Sequence, residues 1–200
     1  MKVTVKLQGI SKSYNGHQVL RDVHLQLEDN EVYCLMGPSG MGKTTLLRIV
    51  LNLEQKDAGT IEGVLPGEIS AMFQENRLCE ELTPVENVLL VMPRHTNRAS
   101  VRQNLELILP AECMEQPVLE LSGGMKRRVA LARAMNYPSK MIIMDEPFTG
   151  LDVETKKKVI TYLQRMRNGR IVFITTHGEE DVSLLGAKKI QLGDISKVPV

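Results

Sequence analysis

Several things are scarce in this chain of 200 residues, and each scarcity narrows what it can be. Cysteine comes first. Cys34, Cys79 and Cys113 are an odd number, far apart and without a CxxC spacing, which argues against a disulfide framework or zinc site and for reduced thiols in the cytoplasm. A surplus of one charge is missing too: lysine plus arginine number 25, aspartate plus glutamate 24, and the formal net charge is +1. No global field therefore draws the chain to nucleic acid or anionic lipid, so no nucleic-acid partner is expected and any partner must be recognised locally. Long apolar runs are lacking. Stretches such as Met141 to Met144 fall far short of a membrane span, and the start, Met1-Lys2-Val3-Thr4-Val5-Lys6, has no apolar core of a signal peptide. If the protein works at a membrane, another protein must cross it. Repeats, low-complexity tracts and linkers are absent as well, and the length suits one domain with a sizeable core rather than two full α/β domains.

What is present is a readable order of elements. Val3, Val5 and Leu7 alternate on one face, and Val23, Leu25 and Leu27 on a second, which predicts antiparallel strands. Glu31 to Met36 reads as a strand that runs into a glycine-rich loop and a helix beginning at Lys43. From Thr83 to Pro110 the spacing becomes helical, with Val85, Val88 and Leu89, then Leu105, Ile108 and Leu109. This predicts a small helical subdomain, about 75–135, inserted in a single domain spanning 1–200. A helix after Ser122, a strand Met141 to Met144, a helix Val153 to Met166, a strand Ile171 to Thr175 and a short β/α stretch follow. That alternation predicts an α/β fold with a mainly parallel sheet, an antiparallel β part and the helical subdomain, and the loop Gly37 to Thr44, G-x-x-x-x-G-K-T between strand and helix, makes the expected class a P-loop NTPase.

Two motifs carry the chemistry. Gly37-Pro38-Ser39-Gly40-Met41-Gly42-Lys43-Thr44, followed by Thr45, fits G-x-x-x-x-G-K-[ST], in which glycines turn backbone N–H groups toward a β-phosphate, Lys43 reaches the β and γ oxygens and the Thr44 hydroxyl ligates Mg²⁺. Taken alone it could be a glycine-rich turn capping an ordinary helix. The second motif, Met141-Ile142-Ile143-Met144-Asp145-Glu146, ends a buried strand in two acids. Asp145 is expected to hold magnesium, directly or through water, and Glu146 to orient or deprotonate the attacking water.

Leu121-Ser122-Gly123-Gly124-Met125 sets the chain apart from other phosphate-loop proteins, because it resembles the signature of ATP-binding cassettes, normally Leu-Ser-Gly-Gly-Gln. By chemistry alone, a serine and two glycines at a helix start form either an anion-binding end or a simple N-cap. The chain thus resembles the nucleotide-binding domain of ABC transporters, from about Val3 to about Leu192. The resemblance implies that Ser122, Gly123, Gly124 and Met125 contact ATP held by an opposite subunit. It also implies that Gln74, in Phe73-Gln74-Glu75, reaches magnesium and the catalytic water, that Asp152 in Thr149-Gly150-Leu151-Asp152 lies near a dimer interface, and that His177 touches the γ-phosphate. Tyr14 would stack on adenine. The chain departs from the pattern at Met125, at Gly178 where aspartate commonly follows the histidine, and at Thr149-Gly150 in place of Ser-Ala. The intervals from Lys43 to Gln74 and from Gln74 to Leu121, 31 and 47 positions, are shorter than the family's usual ones.

What the resemblance implies for function is an ATPase using ATP and Mg²⁺, working as a homodimer or paired ATPase subunit. Transmembrane permease subunits and an extracytoplasmic solute-binding protein are its expected partners, and the inner face of the cell membrane is its expected location. The residues around Gln74, Leu121 and Asp145 look most like importers of the nitrate, sulfonate and taurine group. An exporter or lipoprotein-release ATPase, or a soluble ABC-type protein acting on ribosomes or DNA, would share these motifs. The last usually carries two nucleotide domains or a coiled-coil insert, neither of which is here. A metabolic P-loop kinase would have an acceptor site and no signature.

Overall fold

A computed structural model describes residues 4–196. Val3, expected on the first strand, lies outside the described residues. In chain order the elements are β1 (Thr4–Tyr14), β2 (His17–Glu28), β3 (Val32–Met36), α1 (Lys43–Val50), β4 (Ala58–Glu62), β5 (Ile69–Met72), α2 (Pro84–Leu89), α3 (Arg98–Leu105) and α4 (Gly123–Asn136). They continue with β6 (Met141–Asp145), α5 (Val153–Met166), β7 (Ile171–Thr175), α6 (Glu179–Leu185), β8 (Lys188–Gln191) and α7 (Leu192–Ile195). The chain divides into two compact units, one of Met1–Ala71, Ser139–Glu146 and Gly169–Val200, the other of Met72–Pro138 and Pro147–Asn168.

The first unit is built on two sheets. Its parallel sheet has the order β5-β6-β7-β3-β8, with β3 parallel to β7 and β8, and β6 parallel to β7. Every residue of β3, β6 and β7 is buried, which is why Val-Tyr-Cys-Leu-Met, Met-Ile-Ile-Met and Ile-Val-Phe-Ile read as unbroken apolar runs: central parallel strands are covered on both faces. The other sheet, β2-β1-β4, is antiparallel and alternates, because only one of its faces is covered. Val5, Leu7 and Ile10 pair with Leu27, Leu25 and Val23, and all but the half-buried Leu25 are fully withdrawn into the same core as Leu35, Leu46, Ile143 and Phe173. Asn15 and Gly16, both at positive φ, close the β1–β2 hairpin with Tyr14 opposite His17, the two-residue turn whose twist matches paired strands.

The second unit is helical, and here the structure corrects the expectation. The stretch from Thr83 to Pro110 holds two short helices, α2 and α3, and the helical spacing read there fails at Ile108 and Leu109. Pro93, lacking an N–H, falls in the turns after α2, and Asn97 then caps α3, its side chain accepting from Ala99 N–H at 2.8 Å. Leu105 ends α3, so Ile108 and Leu109 are buried in the following turn instead of on a helix face. α2 starts with a full capping box, Thr83 accepting from Glu86 N–H while the Glu86 carboxylate accepts from Thr83 N–H and hydroxyl, both at 2.9 Å. Behind it, Asn87 is wholly buried, accepting from Cys79 N–H and donating to the carbonyls of Cys79, Leu82 and Thr83. No helix among the described residues is long and apolar enough to cross a membrane.

Candidate functional site

In the first unit the loop between β3 and α1 is exposed at Pro38, Ser39 and Gly40 and leads into a helix whose N-cap, Gly42, offers no side-chain hydrogen bond. The first N–H groups of α1 are thus left for an external acceptor. Gly42 has φ +102°, and a Cβ there would meet Val19 Cγ1 at 2.7 Å and Leu20 Cδ2 at 3.0 Å, so β2 closes against the loop and admits only glycine. Lys43 is buried, its ammonium donating to the carbonyls of Gly37 at 2.7 Å and Pro38 at 3.1 Å. Burial lowers its pKa, partly opposed by the negative charges of Glu146 and Asp145. A phosphate oxygen arriving at the loop would give this ammonium an anionic partner in place of neutral carbonyls.

The Thr44 hydroxyl donates to Asp145 Oδ2 at 2.9 Å, joining the loop to the end of β6. Asp145 Oδ1 accepts from the Thr175 hydroxyl at 2.5 Å, and that same hydroxyl oxygen accepts from Glu146 N–H at 2.9 Å. Thr175 is a site residue the sequence does not single out: it ends an apolar strand two positions before His177, and only its partners show its role. Glu146 sits at φ +50°, uncommon for a side-chain-bearing residue, and this backbone turn is held by the Thr175 hydrogen bond. Its Oε1 lies 3.1 Å from Nε2 of His177, a side chain 53% exposed against 19% for the glutamate. Burial raises the Glu146 pKa, and the charges of His177 and Lys43 act against that rise. A carboxylate raised by desolvation and paired with an imidazole is the chemistry of a general base.

Lys43, Thr44, Asp145, Glu146 and His177 are therefore brought together in the first unit. Tyr14 is 40% exposed at the end of β1, with the Lys12 ammonium 5.0 Å from its ring centroid. Thr45 is half-buried on the first turn of α1.

The remaining site residues belong to the second unit. Gln74 is exposed, but its carbonyl accepts from Arg127 at 2.8 Å, and the same buried guanidinium donates to Phe73 O at 2.7 Å and Asn76 Oδ1 at 3.3 Å. Arg127 is a second residue that sequence reasoning missed, since one arginine among Lys126-Arg127-Arg128 looks like any surface charge. Ser122 caps α4, accepting from Met125 N–H at 3.3 Å, and Gly123 and Gly124 form the helix's open first turn. Met125, standing in place of the usual glutamine, places its sulfur 3.8 Å from the Cys113 thiol. Asp152 caps α5, accepting from Thr155 N–H at 2.9 Å and its hydroxyl at 2.7 Å, which holds its pKa down.

A parallel sheet with a phosphate loop facing an acid-ended strand defines the P-loop NTPase class. Within that class, the family described as ABC transporter matches residues 20–149, and the chain belongs to that family. It is 34% identical over 195 residues to a sulfate/thiosulfate import ATP-binding protein of Synechococcus elongatus, covering 89% of this chain and 57% of the relative. It is 36% identical over 198 residues to an aliphatic sulfonates import ATP-binding protein of Rhodococcus jostii, covering 96% and 80%. The chain thus spans little more than half the length of the sulfate/thiosulfate relative. Among solved structures, a dimeric ATP-binding cassette in a post-hydrolysis state bound to ADP and Pi superimposes with a TM-score of 0.82 at 27% identity, over 94% of this chain and 93% of that one.

Proposed function

We propose that this chain binds and hydrolyses ATP as the energy-coupling subunit of an importer whose membrane-crossing part is a separate permease. The observation that carries the reading is the convergence in one unit of Lys43, the Thr44–Asp145 pair and the Glu146–His177 pair. Gly37 to Thr45 cradle the phosphates, with Lys43 on the β and γ oxygens. Thr44 Oγ1 and Asp145 Oδ2, 2.9 Å apart, form a hard oxygen pair of the kind magnesium takes, and they would hold the ion together with Gln74. When bound, magnesium supplies charge neutralisation on the β and γ oxygens. Glu146 orients or deprotonates the attacking water, and His177 holds the γ-phosphate and the glutamate in register. Tyr14 lies against the adenine.

Ser122, Gly123, Gly124 and Met125 complete the site of a second copy or a paired ATPase subunit, with Asp152 beside the interface. ATP closes that pair and hydrolysis opens it. The relatives named for sulfate, thiosulfate and sulfonate import support an importer of small oxyanions, with a solute-binding protein choosing the cargo. The site of action is then the inner face of the membrane. Lys43→Ala is expected to lose ATP affinity, and Glu146→Gln to keep it while turnover falls by about 10²–10⁴-fold, the usual worth of a positioned base. Nucleotide binding and single-turnover assays decide; unimpaired hydrolysis by Glu146→Gln removes that residue from the mechanism. Capture of a multi-span membrane protein by the tagged chain supports the permease, and co-sedimentation with ribosomes in its place contradicts it.

A further inference from the structure

Gly178 is a departure from the family pattern immediately beside His177, and its surroundings account for it. A Cβ built there would lie 2.9 Å from Oδ2 and 3.1 Å from Cγ of Asp181, so the Asp181 carboxylate occupies the space a side chain at 178 needs. Asp181 is only 4% exposed, and its Oδ2 accepts the Thr176 hydroxyl hydrogen bond. The Thr176 hydroxyl oxygen accepts in turn from Gly178 N–H at 3.1 Å, and Asp181 N–H donates to Gly178 O at 3.1 Å. Thr176 N–H is tied to Leu35 O on β3 at 3.3 Å. His177 is thus an exposed side chain between two tethered neighbours. The Asp181 charge also adds to the effect of burial in pushing the Cys34 thiol up to about 12.

We propose that Asp181 is a positioning residue for His177. Through Thr176 and Gly178 it fixes the turn that aims the imidazole at Glu146, and glycine at 178 is the partner this arrangement requires. The proposal rests on reading Glu146 and His177 as the hydrolytic pair. A carboxylate that merely stabilised α6 would affect folding alone; one that aims His177 affects turnover and leaves the phosphate loop's affinity intact.

The test is a double-mutant cycle of Gly178→Ala and Asp181→Ala, with Asp181→Asn, whose amide oxygen still accepts from Thr176. Turnover, ATP affinity and the ring resonances of the chain's four histidines are measured on the full chain. Each alanine variant is expected to lose about tenfold or more in kcat with ATP affinity kept within about twofold, and the double variant to be no worse than Asp181→Ala, because contacting residues couple. Asp181→Asn is expected to keep turnover within about threefold. The His177 resonance should move in both alanine variants and hold in Asp181→Asn, while His17, His24 and His95 stay put and certify the fold. Additive losses, an unmoved His177 resonance in Gly178→Ala, or affinity falling in step with turnover overturns the proposal. If Asp181→Ala does not fold, Gly178→Ala and Asp181→Asn decide. A wild-type chain that never hydrolyses ATP defeats the underlying reading, while the His177 resonance still judges the positioning.

Discussion

Thr175 is completely buried at the end of β7, and one hydroxyl serves both acids there, donating to Asp145 and accepting from Glu146 N–H. Thr175→Val keeps the shape and removes both hydrogen bonds, at an expected cost of about 1–3 kcal/mol in stability for the buried groups left behind. Hydrolysis should fall further than ATP affinity, because Glu146 loses the bond that holds its positive-φ backbone; denaturant melts and turnover assays on the same preparation check both. The thiols permit a simpler prediction. Cys79 is exposed while Cys34 and Cys113 are buried with raised pKa values, so alkylation of the native chain near pH 8 should label Cys79 alone and the other two only after unfolding. Lys43, Asp145 and Glu146 were legible in the sequence because phosphate chemistry demands those residue types at that spacing. Thr175, Arg127 and Asp181 were not, because a buried threonine, arginine or aspartate shows its purpose only once its partners from other elements are in place.

At the scale of elements, the central strands and α1, α4 and α5 were legible for physical reasons that differ. β3, β6 and β7 are apolar throughout, and α5 has a cap at Asp152 with a clear helical period. The stretch after α3 misled because Ile108 and Leu109 continue the helical spacing of Leu105 but lie in the turn beyond it. β4 escaped notice because it is a short edge strand, Ala-Gly-Thr-Ile-Glu, whose residues are exposed or only half-buried. The capping box of α2 offers a quantitative test. Thr83→Ala is expected to cost about 1 kcal/mol near neutral pH. The hydrogen bonds from Thr83 lower the Glu86 pKa, so its contribution is full above the ordinary carboxylate pKa and is lost as pH falls through the depressed value. The stability gap between wild type and Glu86→Gln should accordingly close on acidification, as chemical denaturation at a series of pH values will show; a gap that widens in acid refutes the assignment.

At the scale of the whole molecule, the proposed site divides between chains. The first unit carries the phosphate loop, both acids and His177, whereas the signature residues open α4 in the second unit, where Ser122 and Gly123 are exposed. An exposed helix start without an acidic residue in its first turn is suited to receive an anion from a partner. On the proposed reading, head-to-tail pairing of two copies would enclose two nucleotides, each site completed by the other chain. Sedimentation of Glu146→Gln, alone and combined with Ser122→Arg, tests this most directly. The account predicts that Glu146→Gln is a dimer with ATP and magnesium and a monomer with ADP, and that adding Ser122→Arg abolishes the dimer while each chain still binds ATP. A Glu146→Gln chain that stays monomeric with ATP, or that pairs equally well with Ser122 replaced, contradicts it.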